Sequence, residues 1–451
     1  MNYHRLLLRR LEEGRPLRIA LLGLSKFTTM YLAQARVSPG VHVVAVGESD
    51  PEAARRAMLA LGWPSEQIIA QTPEAALRQG STCVTEDIEL ILRTGAIELV
   101  IESGSDAVAA VAYALQAFRA RKHVIMVSTA ADALVGPWLA RKAREAGVVY
   151  SAAYGEAPAL ACELIDWART SGFEVVAAGR SARHLPGWEF GSPDTVEERC
   201  DPPLDPERSN AAERQRVNAF LDGTKPALEM AGVANTCALM PAAGGLSFPP
   251  CGTPDLPRVL RLREDGGVLE RIGQVEVVAS IARNGEPVAR DLGRGVFVIF
   301  RAQTEAGALR MRDWFRDYEI SCDETRRYGA VYRPSQLRGL ELGMAVASVG
   351  LRNEPTGSPH TWNADVASFA KRDLQTGETL EGAGGRCVYG RLLPAQDALA
   401  LGALPIGLAA GARMIRDLPS GACVRWSDVE LPAVSDALRL RREMENAYAP
   451  D

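Results

Sequence analysis

Short apolar runs alternate with helix-length amphipathic segments through the first third of the chain. Residues 18–23 (RIALLG) are an apolar run that ends on glycine, as a buried parallel strand does. A helical pattern over 27–37 follows; Ser38-Pro39-Gly40 breaks the chain, and 41–47 predicts a second strand. Pro51 opens a helix over 52–61. Further strands are predicted at 97–102, 123–128 and 148–152, with helices over 106–121 and 137–146 between them. Such alternation predicts a parallel sheet with right-handed crossovers, covered by helices on both faces.

Beyond residue 155 the pattern is mixed. A helix is predicted over 157–170 and a strand over 174–178, followed by an irregular stretch, 183–212, that carries Pro186, Pro193, Pro202, Pro203 and Pro206. A helix over 211–235 is interrupted at Asp222-Gly223-Thr224-Lys225-Pro226, and 275–282 and 295–301 read as strands of a second sheet. Near the C-terminus, Arg372-Asp373-Leu374 with Gly377 recurs as Arg416-Asp417-Leu418 with Gly421, which suggests paired turns in a small β-rich module. The chain closes on a charged helix, 437–447, read as a surface element. The fold class expected is therefore α/β. It comprises a Rossmann-type parallel-sheet domain (1–155), an α+β substrate and dimerisation domain (156–358) and a small β-rich domain (359–451).

A chain of 451 residues is too long for one ordinary core, which agrees with that division. With 47% hydrophobic and 24% charged residues and a net charge of −5, the composition is globular and gives no electrostatic reason to expect nucleic acid or an anionic membrane as partner. No apolar run approaches the ~20 residues of a membrane span. Residues 1–15 mix leucines with charged residues, a short amphipathic helix rather than a signal peptide. Eight cysteines stand singly, with no CxxC and no zinc spacing, so free thiols in a reducing cytoplasm are expected. Cys162, Cys237 and Cys251 are the thiols to follow. No metal site is expected, and no Ser/His/Asp arrangement appears.

A dinucleotide fingerprint uses three glycines: one for the turn, one for close approach of the pyrophosphate and one for helix–strand packing. Here the six positions read Gly23-Leu24-Ser25-Lys26-Phe27-Thr28, and only the first glycine stands. Gly23, Ser25, Lys26, Phe27 and Thr28 are the candidate phosphate loop, in which Lys26 and the helix N–H groups could still meet a phosphate. Glu48, after the second strand, favours NAD over NADP. Ser103 and Ser128, after the next two strands, complete the candidate cofactor set. The plainer alternatives are a simple strand–helix connection at 23–28 and a helix cap at Ser49 or Asp50.

The opening LEEGRPLRIALLG, then HVVAV, KHVIMV, AREAGVVYSAAYGEAP, FLDGTK at 220–225, Ala234-Asn235, AKRDL at 370–374 and LPIGLAAG at 404–411 carry a resemblance. Over about 15–435 the chain resembles the homoserine-dehydrogenase-like oxidoreductases with a C-terminal SAF (antifreeze-like) domain, best represented by the 1-deoxy-D-xylulose 5-phosphate reductoisomerase-like proteins. The resemblance implies an NADP-linked oxidoreductase, typically dimeric, some members acting as oxidoisomerases on small phosphorylated sugars; for this chain it implies a small anionic polar metabolite as substrate and NAD or NADP as the cofactor.

It also implies where the chain departs. Family members carry Asn and Glu where this chain has Ser128-Thr129-Ala130-Ala131-Asp132, and Asp-Gln where it has Glu156-Ala157. They carry lysine where it has Arg180, which essentially cannot exchange a proton. The resemblance brings Tyr154, Glu156, Arg180, His184, Asp222 and Lys225 to the cleft as candidate catalytic residues. Asp222 and Lys225 are retained within DGTK; Lys225 would contact an anionic group or donate a proton, and Asp222 would orient it or act as a base. The alternative is a turn and helix cap at Asp222-Gly223-Thr224, with Lys225 solvated and His184 structural. Three functions follow: a divergent NAD(P)-dependent oxidoreductase, a redox-neutral isomerase, lyase or cyclase that has lost the cofactor, or a non-catalytic scaffold.

Overall fold

A computed structural model describes residues 2–205, 209–317 and 320–448, so Pro206 lies outside the described residues. The chain divides into two compact units, one of residues 1–159 with 337–358 and one of 160–336 with 359–451.

The first unit holds a six-stranded sheet of β1 (Leu17–Leu22), β2 (Val41–Gly47), β3 (Cys83–Thr85), β4 (Leu99–Glu102), β5 (His123–Met126) and β6 (Tyr150–Ala152). Its strand order is β3-β2-β1-β4-β5-β6, with every pair parallel. This is the Rossmann order, and its direction reverses between β1 and β4, where ligands bind in such sheets. Burial explains the strand signal: Leu17, Ile19, Ala20 and Leu21 are wholly inaccessible, as a strand covered on both faces requires. The first unit also takes back helix Leu342–Arg352, where Gly350 lies so close to Leu17 that a Cβ would stand 2.4 Å from its side chain.

Two elements of this unit differ from expectation. The short strand β3 is not predicted, because three residues carry too little periodicity to register. The helix expected over 137–146 spans Thr129–Glu145 instead, with Ser128 as its cap. Val135 leaves helical geometry (φ −146°) just before Pro137, so the chain absorbs the missing N–H in a kink rather than ending the helix.

In the second unit, β7 (Phe173–Ala182), β8 (Gln274–Ala279), β9 (Val296–Ala302) and β10 (Tyr328–Arg333) form a mixed sheet of order β10-β9-β7-β8. The strand expected over 174–178 continues to Ala182, and that extension carries Arg180. The helix predicted over 211–235 is two, Ala211–Leu221 and Thr224–Cys237, broken at Gly223 with φ +85°. Strands β11 (Ala364–Ala370) and β12 (Val388–Pro394) pair antiparallel, and β13 (Arg413–Met414) pairs with β14 (Val429–Glu430). The two RDL turns meet as the pattern suggests: Leu374 and Leu418 exchange backbone hydrogen bonds of 2.8 and 2.9 Å.

The C-terminal helix, Asp436–Tyr448, is not a surface element. Its Ala437, Leu440, Arg441, Met444 and Glu445 are buried. Arg441 is 1% exposed and is bound by Asp365 and by Glu445, the latter at 2.9 Å. Buried charge is tolerated because each guanidinium nitrogen donates to a carboxylate; the alternating charges hid an apolar stripe at helical spacing.

Candidate functional site

In the first unit the loop after β1 is held by its own side chains. Gly23 is required: its φ is +86°, and a Cβ would stand 2.9 Å from the backbone nitrogen of Gly104. Leu24 N–H donates to Glu48 Oε2 at 2.7 Å, and Ser25 N–H to Thr28 Oγ1 at 2.9 Å. Thr28 N–H in turn donates to Ser25 Oγ at 3.3 Å, a capping box on helix Lys26–Ala35. Ser25 Oγ also hydrogen-bonds Ser103 Oγ, joining the loops after β1 and β4 at the point where the strand order reverses.

The side chains at Ser25 and Thr28 therefore take over work that a phosphate does in a glycine loop, by capping the helix. What is left for a pyrophosphate is the N–H groups of Lys26 and Phe27, which as the first two helical residues have no intrahelical acceptor, and the exposed Lys26 ammonium. This set fits a dinucleotide with fewer donors than the full fingerprint offers. Glu48 is half-buried and places a carboxylate at the end of β2, where a ribose is gripped and a 2′-phosphate repelled. Asp50 caps helix Pro51–Ala60 by accepting from Ala53 N–H at 2.8 Å, so the local charge there is structural. Ser128 accepts from Ala131 N–H at 3.4 Å and serves as a cap too.

A buried acid stands beside this crevice. Glu102 is 1% exposed; its Oε1 accepts from Gly104 N–H at 2.8 Å, while Oε2 has no partner. Burial pushes its carboxyl up to about 8, only partly offset by the Gly104 N–H. Asp132 is pushed up to about 6 by burial, against the hydrogen bond it accepts from Tyr150 Oη at 2.7 Å. Tyr154 and Glu156, both buried, also belong to this unit, and Arg338 lies 3.5 Å from Glu156 Oε2.

The second unit splits the remaining candidates across helix Thr224–Cys237. Residues two apart on a helix point about 200° apart, so Lys225 and Glu229 share one face and Gly223 and Ala227 the other. On the first face, Arg180 from β7 binds the fully buried Glu229 carboxylate, and Lys225 Nζ lies 3.5 Å from Glu229 Oε1. Arg180 also donates from Nε to Ser181 O at 2.9 Å. One carboxylate thus holds two cations, and the side chain of Lys225 is the one that reaches solvent, at 18% exposure.

On the other side, both oxygens of the Asp222 carboxylate are engaged. Its Oδ1 accepts from Thr224 N–H at 2.9 Å and its Oδ2 from Lys371 Nζ at 2.7 Å. Lys371 donates also to Gly191 O and Gly385 O, both at 2.8 Å, and burial lowers its pKa against the pull of Asp222. His184 Nδ1–H donates to Leu221 O, 2.8 Å away, and the ring stacks on Phe248 at 4.1 Å between ring centroids. Burial lowers its pKa below the ordinary histidine value, so it is neutral at pH 7.

Glu229, Arg338, Lys371 and Glu102 are functional or supporting residues that the sequence reading misses. Glu229 was legible in principle, since it stands one turn after Lys225 at the spacing of a helical ion pair. Lys371 was not, because its partners come from three distant segments. Among the followed thiols, Cys162 and Cys237 are buried with their sulfurs 3.1 Å apart, and burial pushes the Cys251 thiol up to about 12. Among the described residues no group of His, Cys, Asp and Glu could hold a metal, and no helix is long and apolar enough to cross a membrane.

Residues 155–342 match the family described as oxidoreductase DRL, catalytic domain, which is less than half of the chain. No curated protein matches it. Among solved structures, a homoserine dehydrogenase from Thiobacillus denitrificans is 15% identical over 48% of this chain and 47% of that one, with a TM-score of 0.32. The WlbA dehydrogenase from Bordetella pertussis, in complex with NADH and UDP-GlcNAcA, is 16% identical over 37% and 47%, with a TM-score of 0.27. A biliverdin reductase from Synechocystis sp. PCC 6803 is 19% identical over 38% and 48%, with a TM-score of 0.24. The chain spans about half the length of the solved structures it matches. The strand order itself carries the conclusion at this level: the first unit has a Rossmann-type sheet, and residues 155–342 match an oxidoreductase catalytic domain.

Proposed function

We propose that the chain is a divergent NAD(P)-dependent oxidoreductase or oxidoisomerase-like enzyme acting on a small anionic polar metabolite, with Lys225 meeting the substrate. The observation that carries this reading is the Arg180–Glu229–Lys225 cluster. Two cations meet one buried carboxylate, and the outer of the two, Lys225, is the one that reaches solvent. Arg180 fixes Glu229, and Glu229 holds the Lys225 ammonium for an anionic group or for delivery of a proton. A nicotinamide dinucleotide, when bound, supplies the hydride. Lys26, the N–H groups of Lys26 and Phe27, and the Glu48 carboxylate are the residues that would hold it. We further read the chain as a cytoplasmic homodimer whose residues 359–451 are SAF-like.

A second reading is favoured by the capping box at Ser25 and Thr28, which satisfies the phosphate loop internally. On that reading the enzyme is a redox-neutral isomerase, lyase or cyclase and keeps only the proton transfer.

Calorimetric titration with NADH and NADPH separates the two. The first reading expects sub-millimolar binding, tighter for NADH because of Glu48, and Ser25→Gly should tighten it by opening the Thr28 N–H. Absence of binding by either dinucleotide, with turnover of a small anion intact, selects the redox-neutral reading. Once turnover is measured, Lys225→Ala should lower kcat/KM by roughly 10²–10⁴-fold. Unchanged turnover would remove Lys225 from the mechanism.

A further inference from the structure

Helix Thr224–Cys237 has a cavity on the face opposite Lys225. It encloses about 310 Å³ within the second unit, and His184, Glu189, Phe248, Arg283, Tyr389 and Arg391 are among the residues that line it. Gly223 and Ala227 form its floor, and a Cβ at Gly223 would stand 3.4 Å from the Phe248 ring and 3.7 Å from His184. This places the cavity away from the Arg180–Glu229–Lys225 face by half a helical turn.

Its wall at 244–248 is fixed in advance from three sides. Glu276, fully buried, accepts from Ser247 N–H at 3.0 Å and from Ser247 Oγ–H at 2.8 Å. Arg283 donates to Ser247 O at 3.1 Å, and Arg391 to Gly244 O at 2.7 Å. Each guanidinium has five N–H donors and spends one on this wall, so both present donors to the same space. Asp222 at the base is neutralised by Lys371. His184 is neutral, and Glu189 is the remaining carboxylate, held by Gly187 N–H at 2.8 Å. Two cations against one carboxylate leave the lining positive. Tyr389, set between the rings of Phe190 and Phe369, lines the same space.

We infer that this cavity is a binding site for a small hydroxylated oxyanion, its carboxylate or phosphate held by Arg283 and Arg391 and its hydroxyls by Glu189 and Tyr389. Forked guanidinium donors suit planar or tetrahedral oxyanions, and a volume of about 310 Å³ has room for a small metabolite. The inference stands without the catalytic reading, because no residue of the Lys225 cluster lines the cavity.

The test is calorimetry on the full chain with glycerate, glycerol 2-phosphate and, as the uncharged control, glycerol. One or both anions should bind, and glycerol should not; which anion binds more tightly tells carboxylate from phosphate recognition. Arg283→Gln and Arg391→Gln should each weaken binding roughly tenfold or more. Arg283 is solvent-exposed, so its replacement leaves folding intact even if Arg391→Gln does not. Lys225→Ala should leave the affinity unchanged. Failure of both anions to bind, indifference to both arginine replacements, or loss of binding in Lys225→Ala would each overturn the proposal. The last would move the anion to the catalytic cluster, whereas the first two leave that cluster untouched.

Discussion

Replacing Lys371 by methionine should destabilise the second unit by roughly 3–5 kcal/mol, the cost typical of leaving one partner of a buried ion pair without the other. The Lys371 ammonium is 1% exposed at its side chain and serves three acceptors, two of them backbone carbonyls from 191 and 385. Removing it strands the Asp222 carboxylate, whose side chain is 0% exposed, beside two unsatisfied carbonyls. Urea unfolding of the full chain, followed through the transition of the second unit, measures the loss. A Lys371→Met/Asp222→Asn double variant should recover a substantial part of it, because an uncharged amide can still accept from Thr224 N–H. A single-variant loss below about 1 kcal/mol, in the range of an exposed pair, would show that the pair is solvated. Asp222 would then be available again as a base.

Glu102→Gln should be only mildly stabilising at pH 5 and markedly stabilising at pH 9. The carboxyl is raised from its ordinary 4.5 to about 8. Below about 4.5 both the folded and the unfolded chain hold the proton, so the group imposes no penalty. As pH rises from there to about 8, the unfolded chain releases the proton and the folded chain keeps it, so stability falls with pH. Above 8 the folded state carries a buried carboxylate with only the Gly104 N–H to answer it. At 1.36 kcal/mol per pKa unit the span from 4.5 to about 8 amounts to on the order of 5 kcal/mol. Asp132→Asn should show the same sign over a narrower window, because that carboxyl is raised only to about 6 and its Tyr150 partner pulls it down. Denaturant unfolding of wild type and variants at pH 5, 7 and 9 checks both. A wild-type-minus-variant difference that stays flat with pH would mean that Glu102 is reached by water.

These two residues are placed differently with respect to function. Glu102 lies at the end of β4, beside Ser103 and the joined loops, so its ionisation above pH 8 would bear on any dinucleotide affinity measured there. Titrations of NADH and NADPH are therefore best read near pH 7, where the group is protonated in the folded state. Lys371 supports the base of the cavity on the far side of helix Thr224–Cys237 and does not touch the Lys225 cluster. Its loss should weaken anion binding in that cavity before it alters chemistry at Lys225.

Several features of the fold are legible in local pattern. RIALLG is apolar throughout and ends on glycine, so it reads as a doubly covered strand without any knowledge of its neighbours. The break at Asp222-Gly223-Thr224 is legible because a glycine at φ +85° cannot continue a helix. The retained Gly23 and the substituted Ser25 and Thr28 announce an altered phosphate loop, since each glycine of the fingerprint has its own steric reason.

The sequence could not say what Ser25 and Thr28 do instead. Only the folded loop reveals the reciprocal cap and the link to Ser103, because Ser103 is 78 residues away and meets Ser25 through the β1–β4 pairing. The C-terminal helix misleads for the same reason: Arg441 reads as a surface charge until Asp365, 76 residues distant, is brought against it.

The candidate site shows the division most directly. The family resemblance brought Lys225, Asp222, Arg180 and His184 to one cleft as candidates. Their sequence spacing could not tell which would act together, because function depends on which face of the helix each partner approaches. Tertiary structure decided that Lys225 and Arg180 share Glu229, while Asp222 is neutralised by Lys371 and His184 stacks on Phe248. Local chemistry is encoded by adjacent residues, but charge compensation is not. It is set by low-dielectric contacts between segments far apart in the chain, which exist only once the sheet and the C-terminal strands have closed around them.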